Sequence, residues 1–461
     1  EMITGMKKAG FHSIRIPVAW SNLMKDDGTY TINEDYFNRV ETVMNYAFNA
    51  GMYAIVNIHY DGGWWARFGS KTESERTQAM VKYKAMWTQI ANRFNEYSDH
   101  LIFEAANEEL GERLNSTDDY AGSGYFTNTD DLYKQVTAIN QAFVDTVRGT
   151  GGNNASRFLL IAGYNTDIAK TCDERYVMPT DTIDGHMMIS VHYYSPATYC
   201  TVDDPDNSWG YRDSWGTEDD IAEMKDTLNL MRINYVNKGI PVIIGEYGVI
   251  AGKNSDGTTH RKDGRDVFIS TICEYALTHG MCPVLWDINE IYSRASNTIV
   301  HSTEAANYKK FEQQALESET YRPASKSTTL TYTGSIGYSG WTPSTVTAEG
   351  DVDFSVTNQG GTFMISDVNW SDYTNPKITM TMQGATGNVT CRFAKTASGG
   401  NQYYQAIEAS DVLKSTSWNF SKTLTQSLSD CDLTGKADLY FDMGGLEAFS
   451  GKITITISDA Q

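Results

Sequence analysis

Up to about residue 320, short apolar runs alternate with amphipathic segments, and this alternation restricts the fold more than any other feature of the chain. The runs are "FHSIRIP" (11–17), "MYAIVNIH" (52–59), "LIFEAANE" (101–108), "FLLIAGYN" (158–165), "MMISVHYY" (187–194), "PVIIGEYG" (241–248) and "CPVLWDINE" (282–290). Their length suits strands buried on both faces. Helical faces lie between them. Phe37, Val40, Met44 and Ala47 step by helical intervals, and Gly51 stands where a helix stop belongs. Met80, Tyr83, Trp87, Ile90, Phe94 and Tyr97 make a second face, and Leu132, Val136, Ile139, Phe143 and Val147 a third. Strand–helix alternation of this kind builds a parallel sheet, and seven such runs fit a TIM (β/α)8 barrel better than an open sheet. No G-x-G-x-x-G follows any run, so a dinucleotide fold has nothing to hold a pyrophosphate.

Near residue 322 the helical periodicity stops at "YRPASKSTTL". Beyond it the chain is rich in Thr, Ser and Gly, with alternating segments such as "STTLTYTG", "DVDFSVTN", "KITMTMQG", "NVTCRFAK", "DLYFDMG" and "KITITISD". Many short strands with turn signals read as an all-β antiparallel sandwich. The expected division is therefore 1–322, barrel, and 323–461, sandwich. A chain of 461 residues fits two domains.

A formal charge of −21 argues against nucleic acid and anionic membranes as partners, because the phosphate term is repulsive. No run of 18 apolar residues is present to span a membrane. The six cysteines form no C-x-x-C. Cys172 with Cys200, or Cys391 with Cys431, would pair in a secreted protein; buried thiols are the other reading for each pair. The eight histidines show no metal-ligand spacing, so no metal and no cofactor are expected.

In a parallel barrel the reactive groups project from the C-terminal ends of the strands. "LIFEAANEEL" runs from an apolar strand into Asn107, Glu108 and Glu109, and "PVIIGEYG" carries Glu246. A carboxylate in so apolar a run is costly unless it faces a polar cavity. Two such groups facing each other are what glycosidic cleavage needs, one to protonate the leaving oxygen and one to attack or to activate water. Arg15, His59, His192, Tyr194 and Trp286 stand at the same end of other runs. Each alone has a structural reading as an ion pair, a capped histidine or core, but together they favour a site.

The ordered set Arg15, His59, Asn107-Glu108, His192-x-Tyr194, Glu246 and Trp286 resembles glycoside hydrolase family 5, the cellulase-type retaining hydrolases. "LIFEAANE", "INQAFVDTVRGTGGNNASRFLLIAGYN" and "ISVHYYSP" look most like its subfamily 4. The resemblance covers residues 1–320. It implies Glu108 as acid/base, Asn107 as ligand of the sugar 2-hydroxyl and Glu246 as nucleophile. It makes Arg15 and Tyr194 hydrogen-bond partners of the nucleophile, His59 and His192 subsite walls, and Trp286 the floor. Two positions depart from the pattern: Glu109 stands where the family usually has Pro, and Tyr60 where a second His often follows. The charge on Glu246 is expected to raise the pKa of Glu108 and keep it protonated.

Strand-end tryptophans Trp20, Trp64, Trp65, Trp209 and Trp215 are candidate sugar-stacking faces, with Trp64 and Trp65 placed among the substrate-binding residues. The loops 110–131 and 196–219 are expected to shape the cleft. The implied activity is a secreted, monomeric endo-β-1,4-glucanase acting on a β-glucan polysaccharide. Xyloglucan, mixed-linkage glucan or mannan are rival substrates, and a non-catalytic polysaccharide-binding protein is the rival of another class. The sandwich is expected to be a carbohydrate-binding module exposing some of Trp341, Trp370, Trp418, Tyr373, Tyr403 and Tyr404 as a platform; a structural domain that props the barrel is the other reading. One strand is short: in the family, the Arg of "FHSIRIP" follows strand two, and "EMITGMKKAG" reads as helix one. Strand one is then expected before Glu1, leaving a gap or a substitute partner between the runs at 11–17 and 282–290.

Overall fold

The structure, a computed structural model, describes residues 1–317 apart from 61, 116–123 and 288, together with the backbone of strands between Ser327 and Asp459. Two compact units divide the chain, the first holding Glu1–Met224 and Leu230–Tyr321 and the second chiefly Arg322–Gln461.

The first unit is a parallel sheet of seven strands in chain order: β1 (Ser13–Ile16), β2 (Tyr53–Asn57), β3 (Leu101–Glu104), β4 (Leu159–Ala162), β5 (Met187–Tyr193), β6 (Val242–Tyr247) and β7 (Met281–Leu285). Most strands end before their apolar runs do. β3 stops at Glu104, so "AANE" leaves the sheet and Glu108 stands in the turn above it. The helices form where the spacing predicts. In α2 (Glu34–Asn49) the Asn33 side chain accepts from the backbone N–H groups of Asp35 and Tyr36, and Phe37, Val40, Met44 and Ala47 are buried. Gly51 follows at φ 69°, a conformation open to glycine at little cost. α3 (Glu73–Arg93) ends before Tyr97, whose hydroxyl instead donates to Glu41 at 2.9 Å.

Side chains alternate along a strand, so residues two apart share the interior face. Ile55, Leu160, Met188 and Ile243 form an apolar layer, joined by Ile102, Cys282 and Val284. One step up the same strands stand Asn57, Glu104, Ala162, Ser190 and Gly245. Asn57, Glu104 and Ser190 are fully buried. The interior thus changes from apolar to polar below the strand ends.

The sheet is open between β1 and β7, as the strand count predicts: among the described residues these two strands are its ends. Helix α1 (Met2–Ala9) serves this seam. Met2 and Met6 line a cavity of ≈330 Å³ together with Phe11, Ile14, Pro283 and Leu285. Gly5 packs so closely there that a Cβ would meet the Tyr292 hydroxyl at 2.2 Å, and that hydroxyl donates to the Met2 carbonyl at 2.9 Å. Pro283 lacks an N–H and suits an end strand.

The second unit is two antiparallel sheets. One follows the order 340–350, 327–337, 446–459, 376–389 and 413–415, with 422–427 also on 376–389; the other is 355–359, 362–369, 436–442, 392–397 and 403–408. The sandwich expectation holds, with more strands than the alternating segments indicated. Tyr403 and Tyr404 begin a strand rather than a loop, and Trp341 lies in one. Trp370, Tyr373 and Trp418 lie outside the described residues.

Candidate active site

Arg15, on β1, is buried and spends its guanidinium on three partners. Nε donates to Glu104 Oε2 at 2.6 Å, Nη1 to Glu246 Oε1 at 2.9 Å and Nη2 to Asn107 Oδ1 at 2.9 Å. Burial weakens the guanidinium charge, but the two carboxylates more than restore it and its pKa is raised. Arginine has only donors. Asn107 must therefore turn its oxygen to Arg15, which leaves its NH₂ to donate upward.

Glu246, on β6, is buried and also accepts from the Tyr194 hydroxyl at 3.0 Å. Burial and the Glu246 charge push the Tyr194 phenol far up, so it stays a donor. A bulge sets the height of Glu246. Val191 pairs with Ile244, but His192 pairs with Glu246, and Gly245 is the extra residue. A Cβ on Gly245 would lie 3.1 Å from Ser190 Oγ and 3.2 Å from His192 Nε2.

His192 Nδ1 lies 2.9 Å from Glu108 Oε1 and 3.6 Å from Glu246 Oε2, while its Nε2 is buried without a hydrogen-bond partner. A proton on Nε2 finds no acceptor, whereas one on Nδ1 is donated to a carboxylate. His59 lies parallel to Trp286 at 5.6 Å, interplanar angle 1°. Burial and Arg15 lower its pKa to about 4, so it is neutral near pH 7. Trp286 is 37% exposed.

Eight residues singled out in the sequence thus converge: Arg15, His59, Asn107, Glu108, His192, Tyr194, Glu246 and Trp286. Trp64 and Trp65 do not. They stack on each other at 4.5 Å, pack against Phe68 and Tyr83, and are only 6% and 3% exposed. They are core of the 3₁₀ segment Gly63–Gly69 rather than sugar platforms. Trp20 and Trp215 are also buried, whereas Trp209 is 62% exposed. Cys172 and Cys200 are not joined; the Cys172 Sγ lies 3.6 Å from Met231 Sδ. Cys391 and Cys431 lie outside the residues whose side chains are described.

The pKa of Glu108 also differs from expectation. Burial raises it, but the hydrogen bond and charge of His192, with Arg113 and His59 nearby, outweigh burial and the net direction is down. Arg113 Nη2 is 2.9 Å from Glu108 Oε2. Neither Arg113 nor Glu104 was singled out in the sequence. Glu104 accepts from Ser190 Oγ at 2.8 Å as well as from Arg15. Its clue is a second acid inside the same apolar run. Glu109 is buried and accepts the backbone N–H groups of Tyr60 at 3.0 Å and Asn107 at 2.9 Å. It thereby fastens two strand ends, with Tyr60 at φ 38° and 77% exposed.

Glu108, His192 and Glu246 each bring a ligand-type atom within 4.8 Å of the other two. A cation there would have to break the His192–Glu108 contact and lie beside two arginines. For glycosidic chemistry the separation suits a nucleophile and an acid/base, for which about 5–5.5 Å is usual, rather than the about 6.5–9.5 Å that leaves room for water.

Residues 1–291 match the family model of cellulase, glycosyl hydrolase family 5. The chain belongs to glycosyl hydrolase family 5. Endoglucanase A of Paenibacillus barcinonensis is 33% identical over 328 residues, 65% of this chain and 77% of its own length. A xyloglucan-specific endo-β-1,4-glucanase of Bacteroides ovatus is 33% identical over 62% of this chain and 56% of its own length. Among solved structures, a broad-specificity endoglucanase of subfamily 4 from an uncultured bovine rumen ciliate matches with TM-score 0.56 and 33% identity, covering 68% of this chain and 85% of that one. A family 5 lichenase from Caldicellulosiruptor sp. F32, in complex with cellotetraose, gives 0.58 and 31%, over 68% and 83%. This family 5 chain is a glycoside hydrolase of the endoglucanase type.

Proposed function

We propose that the enzyme cleaves β-1,4-glucosidic bonds inside glucan chains by double displacement, with Glu246 as nucleophile and Glu108 as acid/base. The observation that carries this reading is the pair of carboxylates a few ångströms apart in unlike settings. Glu246 is fixed by Arg15 and Tyr194, and Glu108 stands more open in the turn above β3. A Glu246 oxygen attacks the anomeric carbon as the glycosidic C–O bond breaks and Glu108 gives its proton to the leaving oxygen. Glu108 then takes a proton from water. The water oxygen attacks the same carbon, and the ester bond to Glu246 breaks. The Asn107 NH₂ donates to the 2-hydroxyl, and Trp286 underlies the ring.

Glu108→Gln and Glu246→Gln should each lower turnover on a soluble β-glucan by about a thousandfold or more. Glu109→Gln should cost far less, since Glu109 fastens backbone rather than reacting. Reducing-sugar release measures all three, and a Glu109 variant weaker than the Glu108 variant would reverse the assignment. A second reading keeps the chemistry and takes xyloglucan as the polymer. It is supported by a xyloglucan-specific relative as similar as the endoglucanase. Rates on purified cellulose, mixed-linkage glucan, xyloglucan and mannan decide between them. A polymeric substrate that cannot enter a cell supports secretion. We further propose a monomer whose sandwich binds glucan, to be checked by light scattering and by pull-down of the whole chain on insoluble glucan with and without residues 323–461.

A further inference from the structure

Both oxygens of Glu108 are engaged. Oε1 lies 2.9 Å from His192 Nδ1 and Oε2 lies 2.9 Å from Arg113 Nη2. A protonated carboxyl keeps acceptor capacity beside its O–H, but an oxygen covered by a nitrogen donor is poorly placed to present a proton to a glycosidic oxygen, so proton donation favours the departure of one partner. His192 cannot be that partner. Its side chain is 4% exposed, and its Nε2 would lie 3.2 Å from a Cβ at Gly245. Arg113 can leave. Its side chain is 52% exposed, on the short 3₁₀ turn Glu112–Asn115. The turn itself stays in place, because Glu112 holds Asn165 and Lys170 and the Leu114 N–H donates to the Gly111 carbonyl. Only the guanidinium has to swing outward.

We propose that Arg113 is a latch on the acid/base: it covers Glu108 Oε2 and holds the carboxylate ionised until a sugar unit bound on the leaving-group side displaces it. This rests on the assignment of Glu108 as acid/base. The groups facing Glu108 are His192 from β5 and Tyr194 just past it, His59 beyond β2, Arg113 from the turn, and Glu246 from β6 with Arg15 behind it. Of these, Arg113 carries a permanent positive charge on a side chain open to solvent. Burial alone would raise the Glu108 pKa, and the net direction is down. With the latch displaced, His192 still favours the carboxylate but one charge that does so is gone, and the balance moves toward the protonated acid that the first step needs. Once the leaving sugar departs, the returning guanidinium favours the carboxylate that the second step needs as base. Arg113 is thus a positioning residue with two settings.

The test is the pH dependence of kcat/KM, which reports the free enzyme, beside that of kcat, which reports the complex. The substrates are soluble cello-oligosaccharides, and the proteins are the parent, Arg113→Gln and Arg113→Lys. In the parent the basic limb of kcat/KM should lie below that of kcat. Arg113→Gln should move the kcat/KM limb up by about half to one pH unit, closing the gap, since a partly exposed pair is screened by water. Above the limb this appears as a gain of about three- to tenfold in kcat/KM. Arg113→Lys keeps the charge and should restore the parent limb. An unmoved limb in Arg113→Gln, or a Lys variant that behaves as the Gln variant does, overturns the latch. Glu108→Gln in the same assay separates the two ideas. If it keeps turnover, the acid/base assignment is wrong; if it loses turnover while the Arg113→Gln limb stays put, only the latch is wrong.

Discussion

Arg15 commits its guanidinium to Glu104, Glu246 and Asn107, residues that lie 89, 231 and 92 positions away in the chain. Such separations explain what the sequence could and could not disclose at the level of single residues. Glu108, Glu246 and Asn107 were legible because a polar group at the end of an apolar run needs a polar cavity to face. Glu104 stands one turn of the pleat lower and reads as part of the strand. Arg113 lies in a polar turn where a charged residue is ordinary. Trp64 and Trp65 erred the other way: a loop position suggested exposure, but two large rings so close to Phe68 and Tyr83 bury one another. Glu104 supplies the prediction at this scale. Its carboxylate is wholly buried and ionically paired, so Glu104→Gln leaves Arg15 short of one counter-charge. The loss should be about 3–5 kcal/mol of stability, in the range for breaking a buried pair. It should also lower kcat more than it raises KM, because Arg15 then holds Glu246 and Asn107 less firmly. Urea unfolding and steady-state kinetics check both parts, and a variant within about 1 kcal/mol of the parent would count against this account.

At the scale of elements, periodicity was a sound guide to type and a poor guide to ends. The helical faces at 37–47 and 132–147 are buried as spaced, since a helix stripe is a local property. Strand ends were overestimated because residues such as Ala106 and Asn107 are buried past the last paired residue of the strand. The β5–β6 bulge was invisible from the sequence, because it is a mismatch between two strands and neither records it alone. Gly245 is the only residue of that bulge without a side chain, and the space it leaves is taken by Ser190 Oγ and His192 Nε2. Gly245→Ala should therefore crowd His192 off Glu108. The expected cost is about 1–3 kcal/mol from overpacking and at least about a tenfold drop in kcat. Circular dichroism melting and kinetics measure the two; an unchanged kcat would show that His192 has slack the packing does not suggest.

At the scale of the barrel, the feature that counting strands anticipated is the seam. β1 and β7 are the ends of the seven-stranded sheet, and the cavity between them is lined by apolar groups from α1, β1 and β7. The consequence reaches the site, because Arg15 and Trp286 also line that cavity. Arg15 on β1 and Trp286 just past β7 thus sit at the two strands that, among the described residues, have a neighbour on one side. Among the described residues, backbone N–H groups on the seam side of Ser13–Ile16 and Met281–Leu285 have no ladder partner, whereas β3, β4 and β5 are paired on both sides. Local opening should then begin at the seam. Hydrogen–deuterium exchange read by mass spectrometry should show peptides covering β1 and β7 exchanging at least about tenfold faster than those covering β4 and β5, a difference of about 1.4 kcal/mol or more in opening free energy. A β-glucan oligosaccharide bound over Trp286 should slow β7 more than it slows β4, because it ties one bank of the seam to the rest of the site. Equal protection of all seven strands would mean that α1 closes the seam as firmly as a strand would.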